Sequence, residues 1–302
     1  MPRATLDSGI ELEYETFGSS DDPTLLLVMG FTAQLTAWDT GLCRMFADRG
    51  LHVVRFDNRD CGLSTWMGDA EADPSAVMTA VLSGTELPPV PYDLSDMASD
   101  AIGLLDHLGV ATAHVMGASM GGMIVQTMAI EHPARVASMT SVMSMPGDLD
   151  VGRPTPDALQ ALLAPPPLER DDFIEAASRS LVWASKRYAD LERLRANAAR
   201  DYDRAFNPAG GPRQLAAIYA SGDRSDALRG LQTPTLVVHG RDDTLIDPSG
   251  GLRTVELVPG AHLLMLADMG HDMPEPLWPT IVGAVSGHVF ANDPAAAEAA
   301  SG

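Results

Sequence analysis

Apolar residues in this chain come in short runs separated by longer amphipathic stretches. The runs are LLLVM (25–29), LHVVRF (51–56), HVM (114–116), MTSVM (139–143), TLVVH (235–239) and AHLLML (261–266). Each is about a strand long and apolar at consecutive positions, the pattern of strands covered on both faces. Between them lie helical patterns. The clearest spans 94–108, where Met97, Ala101, Leu104, Leu105 and Leu108 follow 3.6-residue spacing. Asp93 stands before it as an N-cap and Gly109 after it as a stop. Strand and helix in alternation predict an α/β fold with a mostly parallel central sheet, flanked by helices on right-handed crossovers.

The alternation breaks over 146–229. That stretch carries Pro154, Pro156 and Pro165–Pro167, then helical patterns around 173–188 and 191–200, with no strand run. It is too long for an ordinary loop. We expect a mostly helical insertion, placed as a cap or lid over a core made of 1–145 and 230–290. Residues 291–302, ANDPAAAEAASG, have the low complexity of a flexible tail.

Composition narrows the function classes. The 302 residues hold 20 Lys and Arg against 41 Asp and Glu, a net charge of −21. Such a chain has no cationic surplus with which to neutralise nucleic-acid phosphates or dock on an anionic membrane. Cys43 and Cys61 are the only cysteines, which excludes a disulfide framework and a four-cysteine zinc site. H-E-x-x-H, G-x-G-x-x-G and P-loop patterns are absent, so neither metal nor nucleotide cofactor is expected. The N-terminal segment has acidic residues where a secretory signal would be apolar. The expectation is a cytoplasmic protein, monomer or homodimer, without nucleic-acid or membrane partners.

The chemistry is concentrated in HVMGASMGGMI (114–124). A strand ends, Gly117-Ala118-Ser119-Met120-Gly121 follows, and a helix begins at once. A G-x-S-x-G bend between strand and helix forces the serine into a strained backbone conformation. Small residues two positions either side are needed where the two backbones crowd. The hydroxyl of Ser119 then projects beyond the sheet, beside helix N–H groups able to hold an oxyanion. A serine needs a base to take its proton. Of the eight histidines only His239 and His271 follow strand ends at the same edge. His271, in MGHDMP after a short loop, is the better base, and His239 is expected to pack at its strand end. The base needs an acid to hold its tautomer. Asp242 or Asp243, in the loop after TLVVH, could serve, with Asp247 and Asp148 as outsiders. A second oxyanion donor is expected from the loop after LLLVM, so the N–H groups of Phe31 and Met120 form the pair.

The phrases LLLVMG, GLHVVRFDNRDCGLST, HVMGASMGGMI, PTLVVHGRDDTLIDPSGG and MGHDMP, with serine, acid and histidine in that order, resemble the α/β-hydrolase fold family. The similarity runs from about residue 9 to 290. Within the family it is nearest to bacterial esterases of the aclacinomycin methylesterase type. The resemblance implies the triad Ser119, Asp243 and His271, the acid being the fourth residue of G-x-x-D. It also implies ester-type acyl chemistry, since relatives with an elbow aspartate cleave other bonds. Many relatives carry His-Gly where this chain has Met29-Gly30. Asp57-Asn58-Arg59-Asp60, with Gly62 and Ser64, is read as a hydrogen-bonded structural turn with an ion pair.

The expected reaction is hydrolysis of a carboxylic ester by an acyl-enzyme route, on an uncharged, mostly apolar small molecule, with a methyl ester favoured by the resemblance. Same-fold alternatives are lactone opening, C–C hydrolysis, acyl transfer and cofactor-free perhydrolysis. A non-catalytic ligand-binding protein is the remote one. Trp38, Trp183 and Met273 are expected to line the substrate cleft, together with Tyr188. Met29, Met120, Met123, Met265 and Met269 are further candidates for a soft apolar wall.

Overall fold

Successive residues of a strand face opposite ways, and in the central strands each row meets its own layer of helices. The computed structural model describes residues 2–294. Its strands are β1 (Arg3–Thr5), β2 (Glu11–Phe17), β3 (Thr24–Val28), β4 (His52–Phe56), β5 (Ala113–Ala118), β6 (Val136–Val142), β7 (Thr235–Gly240) and β8 (His262–Leu266). The helices are α1 (Thr40–Ala47), α2 (Pro74–Ser83), α3 (Leu94–His107), α4 (Met120–Glu131), α5 (Pro156–Leu163), α6 (Arg170–Ala176), α7 (Leu191–Arg204), α8 (Gly210–Ala220), α9 (Ser225–Arg229), α10 (Ser249–Leu257) and α11 (Trp278–Ala291). In β3, Leu26 and Val28 join an apolar core with Met97 and Leu104 of α3 and Ile124 and Val125 of α4. Leu25 and Leu27 join a second core with Leu42 and Phe46 of α1 and Ile281 and Val285 of α11. Burying each leucine contributes roughly 1.5–3 kcal/mol, so both faces hold the sheet.

The sheet order is β1-β2-β4-β3-β5-β6-β7-β8. The β1/β2 and β2/β4 pairings are antiparallel and all others parallel. Each of the six apolar runs falls on a strand, with Met29, Leu51, Met143 and Ala261 one residue beyond its ends. The helix expected over 94–108 is α3, with a reciprocal cap: Ser95 and Asp96 N–H groups donate to the Asp93 carboxylate, and Asp93 N–H donates to Asp96.

Three elements depart from the sequence pattern. β1 and β2 have no long apolar run, because ELEYETF alternates charged and apolar residues as a strand near a sheet edge does. β8 is apolar in sequence yet exposed at His262 and Leu263, because it is the outermost strand. α2 was not singled out, although Asp73 caps it through the N–H groups of Ser75 and Ala76, Pro74 opens it and Gly84 closes it in the left-handed region. α2 packs against α8.

Between β6 and β7 the chain forms only helices and turns among the described residues. The helix expected around 173–188 is shorter: α6 ends at Ala176, and a 3₁₀ segment covers Ala177–Val182. The last helix runs through Ala291, and 295–302 of the expected tail lie outside the described residues.

Candidate active site

Ser119 is the single residue joining β5 to α4, with φ 57° and ψ −119°. Holding a non-glycine residue there costs about 1–3 kcal/mol. Crowding around the bend explains its glycines. A Cβ on Gly117 would stand 2.0 Å from the Gly121 carbonyl oxygen, and one on Gly121 would stand 2.0 Å from that of Val28. Backbone bonds pin the bend: Ser119 N–H donates to Val142 O at 2.9 Å, and Ser144 Oγ donates to Ser119 O at 2.8 Å.

His271 arrives from the loop after β8, anchored by its own N–H on Trp183 O at 2.7 Å. Its Nε2 lies 3.0 Å from Ser119 Oγ, and its Nδ1 lies 2.7 Å from Asp243 Oδ2. A carboxylate can only accept, so Nδ1 carries the hydrogen and Nε2 is left to accept from the serine. Asp243 is buried after β7, and its Oδ1 accepts from the N–H groups of Leu245 and Ile246 at 2.9 Å each. Burial pushes its carboxyl pKa up. The charge of His271 and hydrogen bonds from His239 and His271 outweigh this, leaving it at about 2.

The competing candidates are occupied elsewhere. Asp242 lies 3.9 Å from the guanidinium of Arg241. Asp148 pairs with Arg253 at 2.7 Å, and Asp247 accepts from Ser249 N–H at 3.0 Å. His239 packs at its strand end, as expected, but in a place its sequence position does not reveal. Fully buried, it donates Nε2–H to Ile246 O at 2.9 Å and lies 3.5 Å from Asp243 Oδ2, so it braces the acid-bearing loop.

The loop after β3 brings Gly30 against the serine: a Cβ there would meet Ser119 Cβ at 3.0 Å. Among the described residues, the N–H groups of Phe31 and Met120 have no protein acceptor. The loop is clamped on both sides of Phe31. Asn58 Nδ2 donates to Met29 O at 2.8 Å, Thr32 N–H donates to Gln214 Oε1 at 2.8 Å, and Leu35 N–H donates to Asp57 Oδ1 at 2.6 Å. The 57–60 turn therefore holds the Phe31 loop in place as well as forming a structural turn. It also forms three ion pairs: Asp57 takes Arg204 at 2.7 Å, Arg59 donates to Asp100 through two bonds of 2.6 and 2.7 Å, and Asp60 takes Arg213 through two of 2.7 and 2.8 Å.

Ser119 and His271 open into a cavity of about 850 Å³, which Phe31, Met120 and Trp183 also line. Trp38, Met273 and Tyr188, expected in its wall, are not there. Trp38 is 0% exposed, packed in the core that Leu25 and Leu27 of β3 form with Leu42 and Phe46 of α1. Met273 packs against the same core, and its carbonyl accepts from the Trp278 indole at 2.8 Å. Tyr188 lies against Arg187. Of the expected methionines, Met29, Met120 and Met123 line the cavity, whereas Met265 and Met269 do not. Met78, Met143 and Met145 take their place. Met78 comes from α2, which periodicity did not single out.

Residues 23–275 match the alpha/beta hydrolase fold family, and the chain belongs to that family. It is 24% identical to rhodomycin D methylesterase DauP of Streptomyces sp. (strain C5), over 93% of this chain and 96% of that protein. The identity to rhodomycin D methylesterase DnrP of Streptomyces peucetius is also 24%, over 96% of this chain and 99% of the relative. Among solved structures, the enol-lactonase from Burkholderia xenovorans LB400 superposes with a TM-score of 0.71 at 21% identity, covering 96% of this chain and 100% of that one. No described helix is long and apolar enough to cross a membrane.

Proposed function

We propose that this protein is a serine hydrolase that cleaves a carboxylic ester of a mostly apolar small molecule through an acyl-enzyme, with methyl esters of bulky ring systems the first class to test. The observation that carries this is the hydrogen-bonded line from Asp243 through His271 to Ser119, at 2.7 and 3.0 Å, ending in an apolar cavity. Two full-length relatives named as methylesterases support the choice of ester.

In this reading His271 Nε2 takes the Ser119 proton as Oγ attacks the ester carbonyl. Asp243, ionised at any physiological pH, stabilises the imidazolium. The N–H groups of Phe31 and Met120 receive the oxyanion; one such donor is typically worth about 3 kcal/mol. His271 then gives its proton to the departing alcohol, and a water repeats the sequence to release the acid. Segment 146–229 acts as a cap, supported by the cavity-lining positions of Leu159, Trp183, Leu215 and Ile218.

Two measurements test the proposal. A fluorophosphonate should label Ser119, located by peptide mass spectrometry. A panel of methyl esters, p-nitrophenyl esters, lactones and β-diketones should show esters turned over fastest. An unlabelled Ser119 would point to a binding protein, and turnover confined to lactones or diketones would replace the ester with that bond.

A further inference from the structure

The cavity beside Ser119 is apolar over most of its wall, but one lining residue is a buried cation. Arg224 is 9% exposed and lines the same cavity as Ser119 and His271. Its hydrogen bonds all go to neutral oxygens: Nε to Gln126 Oε1 at 3.2 Å, Nη1 to Gly222 O at 3.2 Å and Nη2 to Met145 O at 3.1 Å. The adjacent Asp223 turns its carboxylate to the N–H and hydroxyl of Ser225, at 2.9 and 2.6 Å. Among the described residues, no carboxylate lies within ion-pair distance of Arg224.

The other buried arginines contrast with it. Arg55 meets Glu15, Arg59 meets Asp100, Arg204 meets Asp57 and Arg213 meets Asp60. Even the exposed arginine of this cavity, Arg153, meets Asp150 at 2.8 Å. Burying a cation without an anion is costly. Burial lowers the pKa of Arg224 to about 10 despite the nearby Asp223, which leaves it charged at neutral pH. A guanidinium has five N–H groups. Three are used, so one N–H on each Nη is left without a protein acceptor and can donate to a ligand carboxylate. Tyr219, five residues earlier, lines the same cavity, and its hydroxyl has no protein partner among the described residues.

We propose that Arg224, with Tyr219 of the same cavity wall, is a substrate-recognition site for a carboxylate on the ester substrate, remote from the scissile bond. The inference rests on the esterase reading of this cavity and refines it: the substrate has an apolar body, an ester at Ser119 and one anionic end. It departs from the uncharged substrate that a net charge of −21 suggests, because Arg224 lines the cavity without an ion-pair partner, while Asp223, which lines it too, has its carboxylate engaged by Ser225. Gln126, the Arg224 partner on α4, follows Ser119 by seven positions, about 10 Å along the helix axis. That sets the scale of separation between ester and carboxylate.

The probes are monomethyl sebacate, which has one ester and one carboxylate, and dimethyl sebacate, its neutral twin. Calorimetric titration of Ser119→Ala protein with each reads binding without turnover. The half-ester should bind at least tenfold tighter than the diester, and adding Arg224→Met should reduce that ratio at least tenfold. Arg224→Gln provides the same comparison should the methionine variant not fold, and Tyr219→Phe should reduce the ratio by a smaller factor. Equal affinity for both probes in the Ser119→Ala protein would overturn the proposal. So would equal weakening of both by the Arg224 substitutions, the mark of a purely structural strut. Absence of hydrolysis of either probe by the unsubstituted protein, with the binding preference intact, would count against the esterase reading alone.

Discussion

A serine hydroxyl attacks an ester only where a base waits within hydrogen-bond reach, and Ser119 owes that reach to a single strained residue between β5 and α4. Ser119→Ala and His271→Ala should each lower kcat/KM by about 10⁴-fold or more on the best ester of the panel, with unchanged far-ultraviolet circular dichroism. Retained activity in His271→Ala, with loss in His239→Ala, would exchange their roles. Asp243 makes a pH-dependent contribution as well. Its folded pKa, about 2, lies below the ordinary 3.8, so folding favours the ionised form. That stabilisation is complete above about pH 5, is lost as pH falls through 4 towards 2, and is worth roughly 2 kcal/mol. In urea denaturation, Asp243→Asn should be less stable than the parent at pH 7, with the gap narrowing below about pH 5. A gap constant down to pH 3 would remove the ionised carboxylate as its source.

At the scale of elements, the loop carrying Phe31, the proposed oxyanion donor, is held from outside itself. Thr32, at φ 55°, gives its N–H to Gln214 on α8, and the Gln214 amide donates in turn to Arg59 O at 2.9 Å. Gln214 is fully buried and so has no water to exchange with. A helix from segment 146–229 thus sets the Phe31 N–H through its neighbour Thr32. Gln214→Ala should loosen the loop and lower kcat about tenfold, with KM little changed, because the lost alignment matters most when the oxyanion forms. Gln214→Glu, which keeps the acceptor for Thr32, should restore part of kcat. A rise in KM alone would mean that Gln214 shapes the cavity and leaves the loop unaffected.

Over the whole molecule, the buried arginine pairs divide segment 146–229 in two. Arg204 of α7 and Arg213 of α8 reach down to Asp57 and Asp60, and Gln34 Nε2 donates to the carbonyls of Asp201 and Ala205 at 2.6 and 2.7 Å. Removing one partner of such a pair strands a buried charge, at a cost of about 3–5 kcal/mol. Among the described residues α5 and α6 have no buried ion pair: the Arg170–Asp203 pair is exposed, and so are Leu163 and Leu168. Native-state hydrogen exchange should therefore find α5 and α6 opening well before α7 and α8. Uniform protection across 156–220 would show that the segment moves as one body.

The sequence alone determined what depends on neighbours along the chain. Six apolar runs specified strands β3 to β8, Asp93 and Gly109 bounded α3, and the glycines around Ser119 marked the bend, because their crowding follows from a strand entering a helix directly. What depends on residues distant in sequence was decided by tertiary structure. A tryptophan ten positions after a strand end looks the same whether it turns into a cleft or into the core, and Trp38 turned into the core. Met78 and Trp183 reach one cavity from opposite sides of the sequence, which no local pattern encodes. An arginine shows its charge in the sequence but not its lack of a counter-ion, since electrostatic pairing is a matter of distance in space. For Arg224 that missing partner became visible only once the chain had folded.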